Sequence, residues 1–277
     1  MIKDIIVNLE TGRSRDGVCD YAISVAEAFD AHLAGVAFGG RNAVPSYFMP
    51  GVPPYILDDM LRDSNQRATA ALERFEAAAK RSALSVECRL DVENGFPSAQ
   101  SFSMMARRFD LSIVMQSDDT NGSGNDLLIE AALFDTGRPM IVVPYIQKGG
   151  LKFERIVCCW DGSSAAARAI NDSLPMLRRA AVVELFIVTN EKTRVGNEFR
   201  GVDMAHHLAR HDVKVEMAEL PGADTDVANV ILSHVADCEG DMIVMGGYGH
   251  SRLREFVLGG ATRGILATMT VPVFVSH

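Results

Sequence analysis

Short apolar runs bounded by polar residues recur along the chain. In the second half these are RIVCCW, VVELFIVT, VKVEMAEL, DMIVM and VPVFVSH. Each is short, rich in strand formers and closed by turn-forming or charged residues, so each predicts a strand. Between them lie stretches with apolar positions every three or four residues: SSAAARAINDSLPMLRRA, GVDMAHHLARH, DTDVANVILSHVADCEG and ATRGILATM. These predict helices, with Asp224, Thr225 and Asp226 as candidates to cap the third. The first half runs parallel, opening DIIVNL, VCDYAISVAEAFDA, HLAGVAF. Strands that alternate with helices, and that are apolar almost throughout, predict a mostly parallel sheet covered on both faces.

The chain is also written twice. MIKDIIVNLE (1–10) matches KFERIVCCWD (152–161), and LSIVMQ (111–116) matches DMIVMGG (241–247). RPMIVVPY (138–145) matches VPVFVSH (271–277), with Pro139 opposite Pro272. The landmarks keep their order at offsets of 151, 130 and 133 residues. This predicts a tandem duplication joined in the polar stretch Gln147-Lys148-Gly149-Gly150, with domains at 1–147 and 152–277. Each half reads as a five-stranded α/β sandwich. The first half carries an insert, GGRNAVPSYFMPGVPPYILDDM (39–60), too apolar for a free linker. Its prolines argue against a regular element, so we expect an irregular packing flap there.

Composition changes this picture little. The 277 residues are 48% hydrophobic and 23% charged, which suits a chain with a buried core. The net charge of −9 argues against a general nucleic-acid grip, which needs a basic footprint. The N-terminus lacks a signal-peptide apolar stretch and no run approaches membrane-spanning length, so we expect a cytoplasmic protein with no membrane partner. The five cysteines show no CxxC spacing and are expected to be reduced, buried thiols.

The stretch GGYGHSRLREFVLGGATRG (246–264) follows the strand DMIVM directly. Ligands of open α/β sheets sit beyond the carboxyl ends of the strands, where strand order reverses. Glycines there let the backbone approach a ligand, and the first N–H groups of the helix ATRGILATM are disposed toward an anion. On pattern alone a phosphate site and a pair of tight turns are both open. GxxxxGK followed by Ser or Thr is absent, and GxGxxG is not satisfied.

The spacing Gly246-x2-Gly249-x9-Gly259 resembles the G-x2-G-x9-G signature of the universal stress protein family. Asp161 at the end of the first strand of the second half, Met245-Gly246 at the end of the fourth, and Pro272 before the last agree with it. The resemblance implies an adenine nucleotide alpha hydrolase-like fold with strand order 3-2-1-4-5 in each half. It also implies last strands that pair with one another in an intramolecular pseudo-dimer, with a homodimer left open. It implies an ATP or AMP site, with or without Mg. There Asp161 contacts the adenosine, and Val188 meets the adenine through its backbone. Met245, Gly246 and Gly249 line the ribose and phosphates, and Gly259, Gly260, Ala261 and Thr262 offer N–H groups to the phosphates. The family places Ser or Thr directly after the third glycine; this chain has Gly260, and Thr262 is the nearest hydroxyl.

In the first half, Glu10 stands where Asp161 does, Gln116 opposite Gly246 and Asp119 opposite Gly249. Asp118, Asp119 and Asp126 would repel phosphate, so no nucleotide is expected there. No catalytic arrangement of Ser, His and acid can be argued from spacing, so enzyme chemistry is not expected. His207 and His211 lie at i, i+4, but no third ligand is evident and no metal is expected. The resulting expectation is a nucleotide-binding stress regulator or sensor with one competent site and an unknown protein partner. The alternative is an interaction or dimerisation protein of the same fold that binds no nucleotide.

Overall fold

The computed structural model describes residues 1–12, 16–40, 53–92, 96–117, 125–189, 197–222, 227–247 and 260–277. Among them, each half of the sequence supplies five strands and four helices in strict alternation. The first half contains β1 (Asp4–Asn8), α1 (Gly17–Phe29), β2 (His32–Phe38), α2 (Pro54–Arg81), β3 (Val86–Asp91), α3 (Ser98–Ala106), β4 (Leu111–Met115), α4 (Asn125–Phe134) and β5 (Met140–Val143). The second contains β6 (Arg155–Cys159), α5 (Ser164–Leu177), β7 (Val182–Thr189), α6 (Asn197–Arg210), β8 (Val215–Pro221), α7 (Val227–Asp237), β9 (Met242–Gly246), α8 (Gly260–Thr268) and β10 (Val273–Ser276).

The chain divides by its internal contacts into two compact units. One comprises Ile2–Arg138 with Lys148–Gly150; the other comprises Met1, Pro139–Gln147 and Leu151–His277. In the first unit four parallel strands lie in the order β3-β2-β1-β4. In the second the order is β5-β10-β9-β6-β7-β8, parallel except for β5. The second half of the sequence thus has the order 3-2-1-4-5. The strand β5 runs antiparallel to β10, with Val142 opposite Val273, Ile141 opposite Phe274 and Met140 opposite Val275. At the sequence offset of 133, Ile141 and Phe274 are counterparts, so each strand pairs with its own repeat, centred on that couple.

The inner strands are buried on both faces because both faces are covered, whereas the edge strands β3 and β8 are largely exposed. In β7, Phe186 stacks on His234 of α7, whereas Ile187 meets α6 at Gly201, where an added Cβ would lie 2.6 Å from its Cδ1. Alternate side chains of one strand therefore serve two different helices. This explains why VVELFIVT shows no polar face. In the first unit Gly35 of β2 lies under the ring of Phe75 of α2, and an added Cβ would sit 2.6 Å from that ring.

Two expectations need correction here. Residues 54–60 are helical: they form the first turns of α2, with Pro53 as the cap and Pro54 at its first position. Proline is well placed there, because the N–H it lacks has no intrahelical partner in a first turn. The rest of the insert between 41 and 52 lies outside the described residues, as do the cap candidates Asp224, Thr225 and Asp226. All five cysteines are free thiols, but they are not uniformly buried: Cys19 and Cys158 are, whereas Cys88 is exposed on the β3 edge. Among the described residues, no helix is long and apolar enough to cross a membrane.

Candidate functional site

The second unit changes direction at β6. The chain runs β6, β7, β8 outward on one side and returns to place β9 on the other. A switch point of this kind leaves a crevice beyond the carboxyl ends of the two central strands. Strand register fixes what lies there. Cys159 is opposite Phe186 and Cys158 is opposite Val244. Two and three residues further on, Asp161 falls level with Val188 on one side and Gly247 on the other. Neighbouring strands are about 4.8 Å apart, so the row Val188, Asp161, Gly247 spans roughly 10 Å.

The local chemistry of this row is that of a strand end, a turn and a helix cap. Asp161 is exposed, and its Oδ1 accepts the backbone N–H of Ser163 at 2.9 Å. Gly162 takes φ 78, a conformation that suits glycine. Ser163 then caps α5 by accepting from the N–H of Ala166 at 3.1 Å. The carboxylate of Asp161 is thereby aimed by the turn it closes. Val188 is half-buried, and Met245 is buried in β9.

The glycines have distinct physical reasons. At Gly246 a Cβ would lie 2.4 Å from the backbone nitrogen of Ala166 and 2.5 Å from the carbonyl carbon of Ala165. The first turn of α5 rests directly on this residue. At Gly264 a Cβ would lie 2.7 Å from that of Ala228, so this glycine lets α8 approach α7. Gly260 is different: it is exposed, begins α8, and among the described residues has nothing within 4 Å of where a side chain would start. Among the described residues, the amino end of α8 is therefore unobstructed at Gly260. Ala261 is half-buried, and Thr262 is buried at 4% exposure, facing the interior with Ile265. Gly249 and Gly259 lie outside the described residues.

The first unit fills the equivalent position with its own side chains. By strand register Glu10 is the counterpart of Asp161. Its Oε1 accepts from the amide Nδ2 of Asn125, the first residue of α4, at 3.2 Å. Its backbone carbonyl accepts from Arg74 at 3.4 Å, and its N–H donates to Asp16 at 3.1 Å. A built-in carboxylate is thus tied to the start of the helix that corresponds to α8. The pairing also shifts one expectation. Ile5 is opposite Leu111 and Ile156 is opposite Met242, so Met115 takes the place of Gly246, and Gln116 that of Gly247. The apolar runs match one residue out of step because the fold aligns hydrogen-bonded partners, not the charged lead-in. Asp118 and Asp119 lie outside the described residues.

Asp16 belongs to this network as the cap of α1, accepting from Cys19 at 3.1 Å. Burial pushes its carboxyl up to about 6 from 3.8, against the pull of the Cys19 and Glu10 N–H groups; the Glu10 charge adds to the rise. The folded state therefore holds this proton more tightly than the unfolded chain does. The contribution of Asp16 to stability is greatest below pH 3.8 and falls as pH rises through about 6. In urea titrations the stability of wild type relative to Asp16→Asn should fall by on the order of 2 kcal/mol between those limits. A pH-independent difference would contradict this assignment. Burial also pushes the Cys158 thiol well above its ordinary value, which makes it a poor nucleophile at neutral pH.

A sequence model of the universal stress protein family matches residues 152–277, the stretch that carries β6 through β10 and the row at its switch point. Residues 152–277 are a universal stress protein domain. Across nearly its whole length the chain shares the fold of solved universal stress proteins. A universal stress protein from Archaeoglobus fulgidus DSM 4304 is similar at TM-score 0.71 and 14% identity, over 98% of this chain and 97% of that one. A putative universal stress protein from Pseudomonas aeruginosa UCBPP-PA14 is similar at TM-score 0.63 and 15% identity, over 99% of this chain and 93% of that one. A universal stress protein solved in complex with cAMP matches 46% of this chain and 98% of its own, at 17% identity and TM-score 0.38. No curated protein matches the chain.

Within the universal stress protein domain, Asp161, Val188, Met245 and Gly246 come together on three adjacent strand ends, and Gly260, Ala261 and Thr262 form the first turn of α8. Sequence reasoning missed a second polar grouping, Glu184, His234 and Cys238. Its signal was present as a lone acid inside the apolar run VVELFIVT and a His and a Cys four residues apart at the end of the predicted helix DTDVANVILSHVADCEG.

Proposed function

We propose that the second half binds an adenine nucleotide, ATP or AMP, across the carboxyl ends of β7, β6 and β9. The protein then acts as a nucleotide-responsive regulator in a stress response, and not as an enzyme. The observation that carries this reading is the row at the switch point. An exposed carboxylate, Asp161, stands there between the end of β7 and the glycines that close β9. It suits a donor on the adenosine moiety. Backbone at Val188 is level with it, in reach of an adenine edge on the neighbouring strand. The first N–H groups of α8 have no partner within the helix and carry the positive end of its dipole, and among the described residues nothing lies within 4 Å of a Gly260 side-chain position, as a phosphate requires. The glycine spacing extends the cradle to Gly249 and Gly259. With Thr262 buried, a hydroxyl directly after the third glycine is replaced by backbone alone, so phosphate is held by N–H groups.

The first half is read as non-binding. The carboxylate of Glu10 already engages the first residue of α4, and a phosphate placed there would meet a fixed negative charge. No lysine or hydroxyl of a Walker-type loop is present to hold magnesium, so any metal would come with the nucleotide.

Calorimetric titration with ATP and with AMP tests the reading on the wild type and on Asp161→Asn. The asparagine keeps an oxygen for the Ser163 N–H and so preserves the turn, but it loses the charge. A hydrogen bond to a charged group is worth about 1.5–3 kcal/mol, so the variant should bind roughly ten- to a hundredfold more weakly. Binding unchanged in Asp161→Asn would remove Asp161 from the site. No heat from either nucleotide on the wild type would leave the interaction-protein reading in its place.

A further inference from the structure

We propose that Glu184, His234 and Cys238 form a zinc site on the α7 side of the sheet. A carboxylate oxygen, an imidazole nitrogen and Sγ of these residues lie within 4.8 Å of one another. This is a mixed N, S and O donor set of the kind that zinc takes, with water as the fourth ligand. Tetrahedral zinc at bonds of about 2.0–2.3 Å holds such atoms roughly 3.3–3.8 Å apart. Closing the cluster therefore asks for side-chain adjustment of about an ångström.

Three features prepare these groups. His234 and Cys238 are four residues apart, and the N–H of Cys238 still donates to the His234 carbonyl at 2.9 Å, so both project from one face of the helical turn. The His234 ring lies flat on Phe186, with centroids 4.0 Å apart and planes 2° apart, which fixes its orientation. Glu184 meets His234 through Oε1, while its other oxygen accepts from Arg155 Nη1 at 2.9 Å. Arg155 thus orients the carboxylate from outside, as the outer partners of metal ligands do, and leaves the oxygen on the His234 side for a cation.

The duplication supplies a control within the chain. By strand register Ala34 is the counterpart of Glu184, and the equivalents of His234 and Cys238 are Ser103 and Arg107. Ala34 and Ser103 are both buried in the first unit. The fold does not need a carboxylate at this point of a core strand. The second half places one there together with an imidazole and a thiol.

The full-length chain, kept reduced and stripped of metal, should be dialysed against zinc and against cobalt. One zinc per chain is expected. The cobalt form should show a thiolate-to-cobalt charge-transfer band with the strong d–d bands of a tetrahedral site. Cys238→Ser should lose the charge-transfer band, and both it and His234→Gln should bind zinc at least about tenfold more weakly. Cys88→Ser should behave as wild type. Circular dichroism of each variant separates loss of metal from loss of fold, and the half-exposed Cys238→Ser decides if His234→Gln unfolds. A wild type that takes up no zinc overturns the proposal. So does a charge-transfer band that survives in Cys238→Ser. Zinc lost only on changing His207 and His211 would place the metal elsewhere and overturn it as well.

Discussion

Replacing Glu184 with alanine should lower the stability of the protein by about 3–5 kcal/mol, the cost of removing one partner from a buried ion pair. The side chain is 8% exposed and sits in the middle of a core strand. It answers two donors at once, Arg155 on one oxygen and His234 on the other. Truncation leaves both without their acceptor and opens a void between β7 and α7. Arg155 keeps a second contact with Glu216 at 3.4 Å, so it is rescued in part, whereas His234 remains stacked on Phe186 with its polar edge unanswered. Glu184→Gln should cost less, since the amide oxygen still accepts from Arg155. Urea unfolding of metal-free protein reads both effects. A loss below about 1 kcal/mol for Glu184→Ala would mean that the network is solvated in solution and the carboxylate is not buried as described.

Glycine to alanine at Gly246 should cost about 3 kcal/mol or more, at the upper end of overpacking, because the atoms in the way are backbone. The nitrogen of Ala166 and the carbonyl carbon of Ala165 cannot move aside like a flexible side chain; α5 must shift as a body. The same change at Gly260 should instead gain a few tenths to about 1 kcal/mol, as alanine replaces glycine in a helix with open space around it. The comparison is informative because the two positions carry the same residue in the same motif. Similar midpoints for the two variants in urea would contradict the assigned roles. If both fold, the Gly260→Ala chain should also retain nucleotide binding, since its N–H groups are kept.

The alternation of strands and helices was legible because strands covered on both faces leave long apolar runs, and the helices between them keep their own period. The duplication was legible in the recurring landmarks, and the pairing of β5 with β10, each against its own repeat, agrees with what the family resemblance implied. The start of α2 was not: prolines argue against a helix interior, yet Pro53 and Pro54 sit at its cap and first position, where they are tolerated. Nor was the one-residue shift of β4, since LSIVM and DMIVM look alike in either register and only main-chain pairing separates them. For the candidate site, it was the family resemblance that singled out Asp161, and its turn geometry agrees with the plain reading of Asp-Gly-Ser as strand end, turn and helix cap. The division of labour among the glycines was hidden. What makes Gly246 necessary is the first turn of a helix some eighty residues earlier in the sequence, and no local pattern reports that approach. Glu184 was passed over because a single acid in an apolar run is read as noise until Arg155 and His234 are seen beside it.

The number of nucleotides held per chain tests the central claim most directly. Calorimetric or dialysis titration of the full-length protein with ATP should saturate at one equivalent, bound in the second half, with Glu10 and Asn125 closing the position in the first. Two equivalents per chain would contradict the account of the first half, and a wild type that binds neither ATP nor AMP would contradict the whole.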